Sequence, residues 1–441
     1  MKVLEAYKYR LLPTPEQLEL IKKTAGCSRS VFNCLLERMT TQLNNKEKIK
    51  IPKITELYSD KPYLKEVDSL ALANARVNFQ NATSNFFKSK NGLIKGKRRG
   101  FPKFKKKGVS KDSYTTNNQK DSIRIEGNTI KLPKLGFVNL IIHRPLIGEI
   151  RSTTITINKT GTVDVSILTL VEKKQIKKQT KTIKHIDEIK KIGLDMSMSE
   201  LYVGKDEERS NFQRHYRNSE KKRRRLKKKI SRKKLIETGD KFFSKKWKKE
   251  VEMVKPSKNR EKAKRKLAKF EAHTANSRKD FAHKKSRYFV NNYDVITLED
   301  INMQDMARCL NLGKSVGDLG FGMFRTFLEY KSIVADTLVV RVPKWFPSSK
   351  LCSDCDYKYT ELKLSEREWA CPGCGVIHDR DENASYNLNN YFIKEFINTV
   401  GTTGFQACGD GTSGLRETLI KVLSLKQEGN IVRFVNRRPS L

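Results

Sequence analysis

Two periodicities divide the chain. Residues 2–11 (KVLEAYKYRL) mix polar and apolar positions and predict a strand. Pro13 and Thr14 then open a helix, with Thr14 as its N-cap and Glu16 and Gln17 in the first turn. Leu18, Ile21, Val31 and Leu35 recur on one helical face, and Gly26 is expected to break the helix. Residues 50–65 are polar and carry Pro52 and Pro62; a second helix is expected over roughly 66–90, with Leu70, Ala73, Val77 and Ala82 inward.

From 120 to 171 the period changes to two, with turns at Gly127 and Gly161. Short strands there imply a small β-barrel or half-barrel, completed by the first strand with the helices as an insertion. A charged linker follows, and a new domain starts near 189, where KIGLDMSMSELYV reads strand, turn, strand. Between about 258 and 290, Ala263, Leu267, Phe270, Thr274, Ser277, Phe281 and Tyr288 trace one stripe of a basic helix, which would be about 50 Å long. VITLEDI (295–301) reads as a buried strand ending in acids. A helix carrying Phe321, Phe324 and Phe327 follows, then a strand within 334–343. Past Asn398 the composition turns to glycine, serine and threonine, as in a tail with little fixed structure.

Charge changes the picture from a generic α/β chain to a polyanion binder. Lys and Arg number 91 against 49 acids, a formal charge of +42 in 441 residues, and each phosphate contact releases counterions. A structural RNA-binding protein would carry the same charge, so charge gives the partner and not the activity. The run KGKRRGFPKFKKK (95–107) sets Phe101 and Phe104 among Lys97, Arg98, Arg99, Lys103, Lys105, Lys106 and Lys107, the mixture of cations and rings that suits phosphates and bases. A second run, 217–234, holds twelve basic residues, Arg223, Arg224 and Arg225 among them, and one acid. Tyr9, Phe101 and Phe104 are stacking candidates or core residues. No stretch of eighteen apolar residues and no signal-like N-terminus is present, and the scattered Cys27, Cys34, Cys309 and Cys408 fit a reducing cytoplasm.

Cys352, Cys355, Cys371 and Cys374 form CxxC-x15-CxxC. Four thiolates at that spacing suit one tetrahedral, closed, structural zinc, with Gly373 and Gly375 allowing the tight second knuckle. Acids stand at the ends of three hydrophobic stretches: Asp195 after KIGL, Glu299 after VITL, and Asp381 in HDRDENAS. Three converging carboxylates can hold two Mg²⁺ ions about 3.5–4 Å apart across a phosphodiester. Asp300 beside Glu299, and Asp379 near Asp381, leave the choice of acid open. His378 either orients a ligand or packs.

With these blocks assembled, the chain resembles the TnpB family, the insertion-sequence-encoded relatives of compact type V CRISPR effectors. The resemblance runs from MKVLEAYKYRLLPTPEQ through GCSRSVFN, GFPKFKKK, LPKLGFV, HRPLIGEI, GLDMSMSELYV and VITLEDINM to the cysteine ribbon and DRDENAS. It implies a multidomain α+β and α/β protein. A wedge β-barrel (1–13 and 95–172) would carry a helical recognition insertion (14–94), and a linker (173–188) would lead to a RuvC-like RNase H fold (189–350 and 376–398). A zinc ribbon (351–375) would interrupt that domain, ahead of a disordered tail (399–441). The metal ligands fall on Asp195, Glu299 and Asp381, with Arg380 and Asn383 in support; Ser385 stands where the pattern has alanine. A guide RNA from the transposon end would direct cleavage of double-stranded DNA beside a short motif, without the strand transfer of a transposase, in a prokaryotic cytoplasm. A compact CRISPR effector and a nuclease-dead DNA-binding repressor remain alternatives.

Overall fold

The structure is a computed structural model that describes residues 2–93, 98–110, 112–172, 189–196, 202–204, 212, 214–233, 235–244, 249–300, 313–335, 337–343, 345–363 and 365–407. The chain divides into two compact units, 1–174 with 264–269, and 175–263 with 270–441. No helix among the described residues is long and apolar enough to cross a membrane.

The first unit is built on strand β1 (Lys2–Leu12), whose Tyr7, Tyr9 and Leu11 turn inward at period two. Helix α1 (Pro15–Asn44) follows, with Thr14 as its N-cap as expected and Gln17 completing a reciprocal capping box. The helix passes Gly26 without a break, because Ala25, Cys27 and Ser28 on either side are buried and tertiary packing outweighs the roughly 1 kcal/mol helix cost of glycine. Helix α2 (Ser69–Lys90) is capped by Asp68. Its buried face is Ala71, Leu72, Ala75, Phe79 and Thr83, while Ala73 and Val77 face solvent. The expected face was rotated because both sets satisfy a helical period. Phe79 decides between them, standing edge-on to Phe32 of α1 at 5.5 Å.

Strands β2 (Asp112–Asn117), β3 (Arg124–Glu126), β4 (Thr129–Leu132), β5 (Gly136–Ile141), β6 (Glu149–Ile157) and β7 (Val163–Glu172) join β1 in an antiparallel sheet of order β2-β6-β7-β1-β5-β4-β3. Among the described residues no ladder joins β2 to β3, so the sheet is open at that edge, as in the half-barrel form of the expected architecture.

The second unit has a parallel core. Strand β8 (Lys191–Leu194) precedes helices α3 (His215–Asn218) and α4 (Glu220–Ser231), the hairpin β9 (Leu235–Ser244) and β10 (Lys249–Pro256), and the 35-residue helix α5 (Lys258–Asn292). Strand β11 (Val295–Glu299), helices α6 (Gly313–Leu319) and α7 (Phe321–Ala335), and strand β12 (Leu338–Val342) follow. The three-stranded order β12-β11-β8 is parallel throughout. Its strands are near-continuous apolar runs, as parallel strands covered on both faces must be, packed with Tyr202, Phe289, Phe321, Phe324 and Leu328. The α5 stripe holds from Ala263 to Phe281 and then drifts, so that Phe289 is buried and Tyr288 faces out.

Strands β13 (Glu368–Ala370) and β14 (Ile377–Asp379) pair beside the cysteines, and helix α8 (Arg380–Ala407) closes the description. Its backbone stays helical past residue 399, where a tail without structure was expected; 408–441 lie outside the described residues.

Candidate active site and metal centre

The cysteine centre is made of two copies of one turn. In each, the first cysteine's N–H donates to the carbonyl five residues on, Cys352 to Tyr357 (2.9 Å) and Cys371 to Val376 (2.8 Å). Its own carbonyl accepts from the residue four on, Asp356 (3.1 Å) or Gly375 (2.8 Å). That fourth residue is left-handed in both, Asp356 at φ 60° and Gly375 at φ 76°. Gly373 serves differently: a Cβ there would meet the Tyr357 side chain at 3.0–3.2 Å. The four sulfurs lie within 4.8 Å of one another, Cys352 to Cys374 at 3.7 Å and Cys355 to Cys371 at 3.6 Å. A tetrahedral ion with Zn–S bonds of about 2.3 Å spaces its sulfurs by about 3.8 Å, so the donor set fits such an ion. His378 belongs to this centre: its Nε2 is 3.1 Å from the Cys352 sulfur, and its ring packs on Trp369.

The acids approach one another from three segments, near enough for the charges of Glu299 and Asp381 to act on Asp195, but their carboxylate oxygens do not all lie within 4.8 Å of one another. β8 and β11 run in register up to Leu194 opposite Leu298, so Asp195 and Glu299 leave neighbouring strands side by side, about 4.8 Å apart. Asp195 is held by two 2.9 Å backbone bonds to Val203. Asp381 enters from the first turn of α8, where an anion meets the positive helix end. What brings α8 this close is Gly193. A Cβ there would collide with the Ser385 carbonyl, the Asn389 amide nitrogen (2.6 Å) and Leu388. The Ser385 hydroxyl, fully buried, donates to the Gly193 carbonyl at 2.8 Å, a role that alanine at this position could not fill.

The electrostatics follow from that crowding. Burial, then the charges of Glu299 and Asp381, push the Asp195 carboxyl well above the ordinary carboxylate range; the Met196 backbone and Arg380 oppose them. Burial raises Glu299 too, against a hydrogen bond donated by the Ser348 hydroxyl. All three side chains keep partial exposure, so the cluster is open to solvent. Arg367 Nη1 donates to Asp381 at 3.1 Å, and Arg380 donates to the Lys363 carbonyl at 3.3 Å.

The neighbouring acids are engaged elsewhere. Asp300 pairs with Arg325 (3.1 Å) and Arg341 (3.8 Å). Asp379 caps α8, accepting from the Glu382 N–H at 2.9 Å. Asn383 ties α8 to the first knuckle, donating to the Leu351 carbonyl (2.8 Å) and accepting from the Ser353 N–H (3.0 Å).

Three family models match the chain: a helix-turn-helix domain of the OrfB IS605 type over 1–48, the OrfB IS605 "probable transposase" over 166–310, and a Cas12f1-like TNB domain over 321–388. A putative RNA-guided DNA endonuclease of Streptomyces pristinaespiralis is 27% identical over 430 residues, 95% of this chain and 94% of that one. The putative RNA-guided DNA endonuclease InsQ of Escherichia coli K12 is 26% identical over 411 residues, 88% of this chain and 92% of its own. A TnpB-like protein of Acanthamoeba polyphaga mimivirus is 31% identical over 154 residues, 33% of this chain and 29% of its own. The chain is similar to putative RNA-guided DNA endonucleases along nearly its whole length and to TnpB-like proteins along a third of it.

The expected nucleic-acid residues separate by burial. Tyr9 is core, not a stacking platform: it is 1% exposed, its hydroxyl donates to the Arg144 carbonyl, and His143 packs beside its ring. Arg223 is likewise buried, its guanidinium 3.6 Å over the Tyr216 ring and bonded to Ser219. Phe101 packs edge-on to Phe86, and Lys105 lies 3.8 Å over Phe32, where burial lowers its pKa. Arg98, Arg99, Lys103, Phe104, Lys106, Lys107, Arg224 and Arg225 face solvent, and Lys97 lies outside the described residues. Sequence reasoning missed Gly193, Ser348, Arg367 and Asn387. Only Asn387 carried a signal, standing one helical turn beyond Asn383 on the same face.

Proposed function

We propose that this chain is an RNA-guided DNA endonuclease whose nuclease centre is Asp195, Glu299 and Asp381. The observation that carries the reading is the proximity of those three carboxylates, two at the ends of in-register parallel strands and one at a helix start, close enough for Glu299 and Asp381 to raise the Asp195 carboxyl. Relatives bearing that activity in their names align over nearly the whole chain.

Three crowded carboxylates in a chain of charge +42 suit hard divalent cations, Mg²⁺ or Mn²⁺. Two such ions, when bound, activate a water and offset charge on the leaving oxygen. Asp195, Glu299 and Asp381 would hold such ions, with Asp195 the carboxylate most shifted by burial. Arg367 and Arg380 stand where they can neutralise Asp381 and Asp195 and meet a phosphate. The four cysteines would hold one structural zinc. The exposed basic residues around Phe104 and on α4 would grip phosphates of a guide RNA copied from a transposon end and of its paired DNA strand.

The test is a plasmid-cleavage assay. The protein is copurified with RNA encoded at the end of its own gene, then given Mg²⁺ and a randomised target-adjacent library. Cutting that vanishes with EDTA and in Asp195→Ala is expected. RNA-dependent binding without cutting would favour a DNA-binding repressor. DNA ends joined to a new strand would favour the transposase reading that one matching family model names.

A further inference from the structure

The loop between β12 and the first cysteine touches both metal centres. At one end it runs into Cys352, and near its middle the buried Ser348 donates its hydroxyl to Glu299 Oε1. That hydroxyl is a hydrogen-bond donor, which an apolar group of the same size could not replace. The other carboxylate oxygen of Glu299 stays available to an ion.

Ser348 is itself held. Asn387 of α8, 2% exposed, donates through Nδ2 to the Ser348 carbonyl (2.7 Å) and to the Leu351 carbonyl (2.6 Å). Phe346 of the same loop packs against Tyr391 at 5.0 Å. One turn earlier on α8, Asn383 holds Leu351 and Ser353 on both sides of Cys352. Asp381 rides on the same helix. Two of the three acids therefore take their placement from α8, Asp381 directly and Glu299 through Asn387 and Ser348.

We propose that Ser348 is a positioning residue of the nuclease centre. It fixes the Glu299 carboxylate for ion binding and links it to the α8 helix that carries Asp381. This inference rests on the reading of Asp195, Glu299 and Asp381 as a divalent-cation site. Partners that orient metal-binding carboxylates are commonly worth tenfold or more in metal affinity.

The test compares full-length wild type, Ser348→Ala and Ser348→Thr, each copurified with RNA. Mn²⁺ binding is titrated by electron paramagnetic resonance, and guided cleavage is resolved into kcat and KM. In Ser348→Ala the Mn²⁺ dissociation constant should rise about tenfold, equivalent to about 1.4 kcal/mol. Its kcat should fall while KM for DNA and the melting temperature stay near wild type. Ser348→Thr, which keeps the hydroxyl, should recover most of both losses. Wild-type Mn²⁺ affinity in Ser348→Ala, or a threonine variant as weak as the alanine one, overturns the inference. A wild type that binds Mn²⁺ but cuts no guided DNA overturns the proposed function and leaves the role of Ser348 standing. A wild type that binds no Mn²⁺ overturns both.

Discussion

The two candidate metal centres of this chain are built by opposite rules. The cysteine centre is local: its ligands span 352–374, in two turns that repeat the same hydrogen bonds and the same left-handed fourth residue. Each knuckle closes on its own backbone, and the sulfurs already stand at the spacing a tetrahedral ion needs. The carboxylate centre is distant in sequence, spanning 195 to 381. It exists because a strand register, a glycine and a helix start agree. Burial first, and the charges of Glu299 and Asp381 second, hold the Asp195 carboxyl raised. On the proposed reading the first centre would need its ion to fold, whereas the second would need its fold in order to tolerate its own charges.

The sharpest way to break this comparison is to remove one ligand from each. Cys371→Ser should release the bound metal completely and unfold the ribbon locally, because structural zinc contributes on the order of 10 kcal/mol or more in small zinc domains. Metal content by mass spectrometry and protection of 351–379 in hydrogen exchange would read it. Asp195→Ala should do the reverse. Guided cleavage should fall by a thousandfold or more on the ordinary scale of lost catalytic groups, about 4 kcal/mol, while melting in EDTA should hold or rise, since a repelled carboxyl is gone. A cysteine variant that keeps its metal, or an aspartate variant that melts early in EDTA, would erase the distinction.

The pH dependence sharpens it further. Asp195 and Glu299 have raised pKa values in the folded chain. Their neutral forms favour folding below the unfolded carboxylate pKa, and that contribution is lost as pH rises through the folded values. Metal-free protein should therefore lose stability as pH climbs above about 4, and added Mg²⁺ should restore it at neutral pH. Thermal melts across pH, with and without Mg²⁺, check this; a flat profile in EDTA for wild type, or a sloping one retained unchanged in Asp195→Asn, would contradict it.

Gly193→Ala probes the packing instead of the charge. The atoms its Cβ would meet include α8 backbone, which cannot swing aside as a side-chain tip can. Overpacking of this kind costs about 1–3 kcal/mol. Because the displaced helix carries Asp381, cleavage should fall more steeply than stability, with the knuckle's metal content unchanged.

How much of this was legible follows the same division. The cysteine spacing names its ligands because two CxxC pairs present four soft thiolates, although Asp354 and His378 make a second candidate group with Cys352. The helical stripe of α5 was readable through Phe281, where polar and small positions leave one face. It was misread at Tyr288, where an adjacent ring, Phe289, offered an equally good period. Tyr9 and Arg223 show why charge and aromaticity alone mislead: a ring on a period-two strand, or an arginine beside a tyrosine, packs inward as readily as it meets a base. Gly193 was invisible because its reason lies in a helix almost 200 residues away.

The smallest expected effect tests the finest distinction, the choice between the acids of DRD. Asp379 and Asp381 are two residues apart, and composition treats them alike. The fold does not: Asp379 accepts the Glu382 N–H and ends the approach to α8, while Asp381 sits one step inside, beside Arg367 and near Asp195. Loss of an N-cap costs about 1 kcal/mol, so Asp379→Ala should lower the melting temperature by a few degrees and leave guided cleavage within about threefold. Asp379→Ser, which can still cap, should recover the loss of stability. Asp381→Ala should abolish cleavage with little change in melting. If Asp379→Ala proves the inactive variant and Asp381→Ala the merely less stable one, the two acids have exchanged roles, and the nuclease centre is built around the strand end and not the helix start.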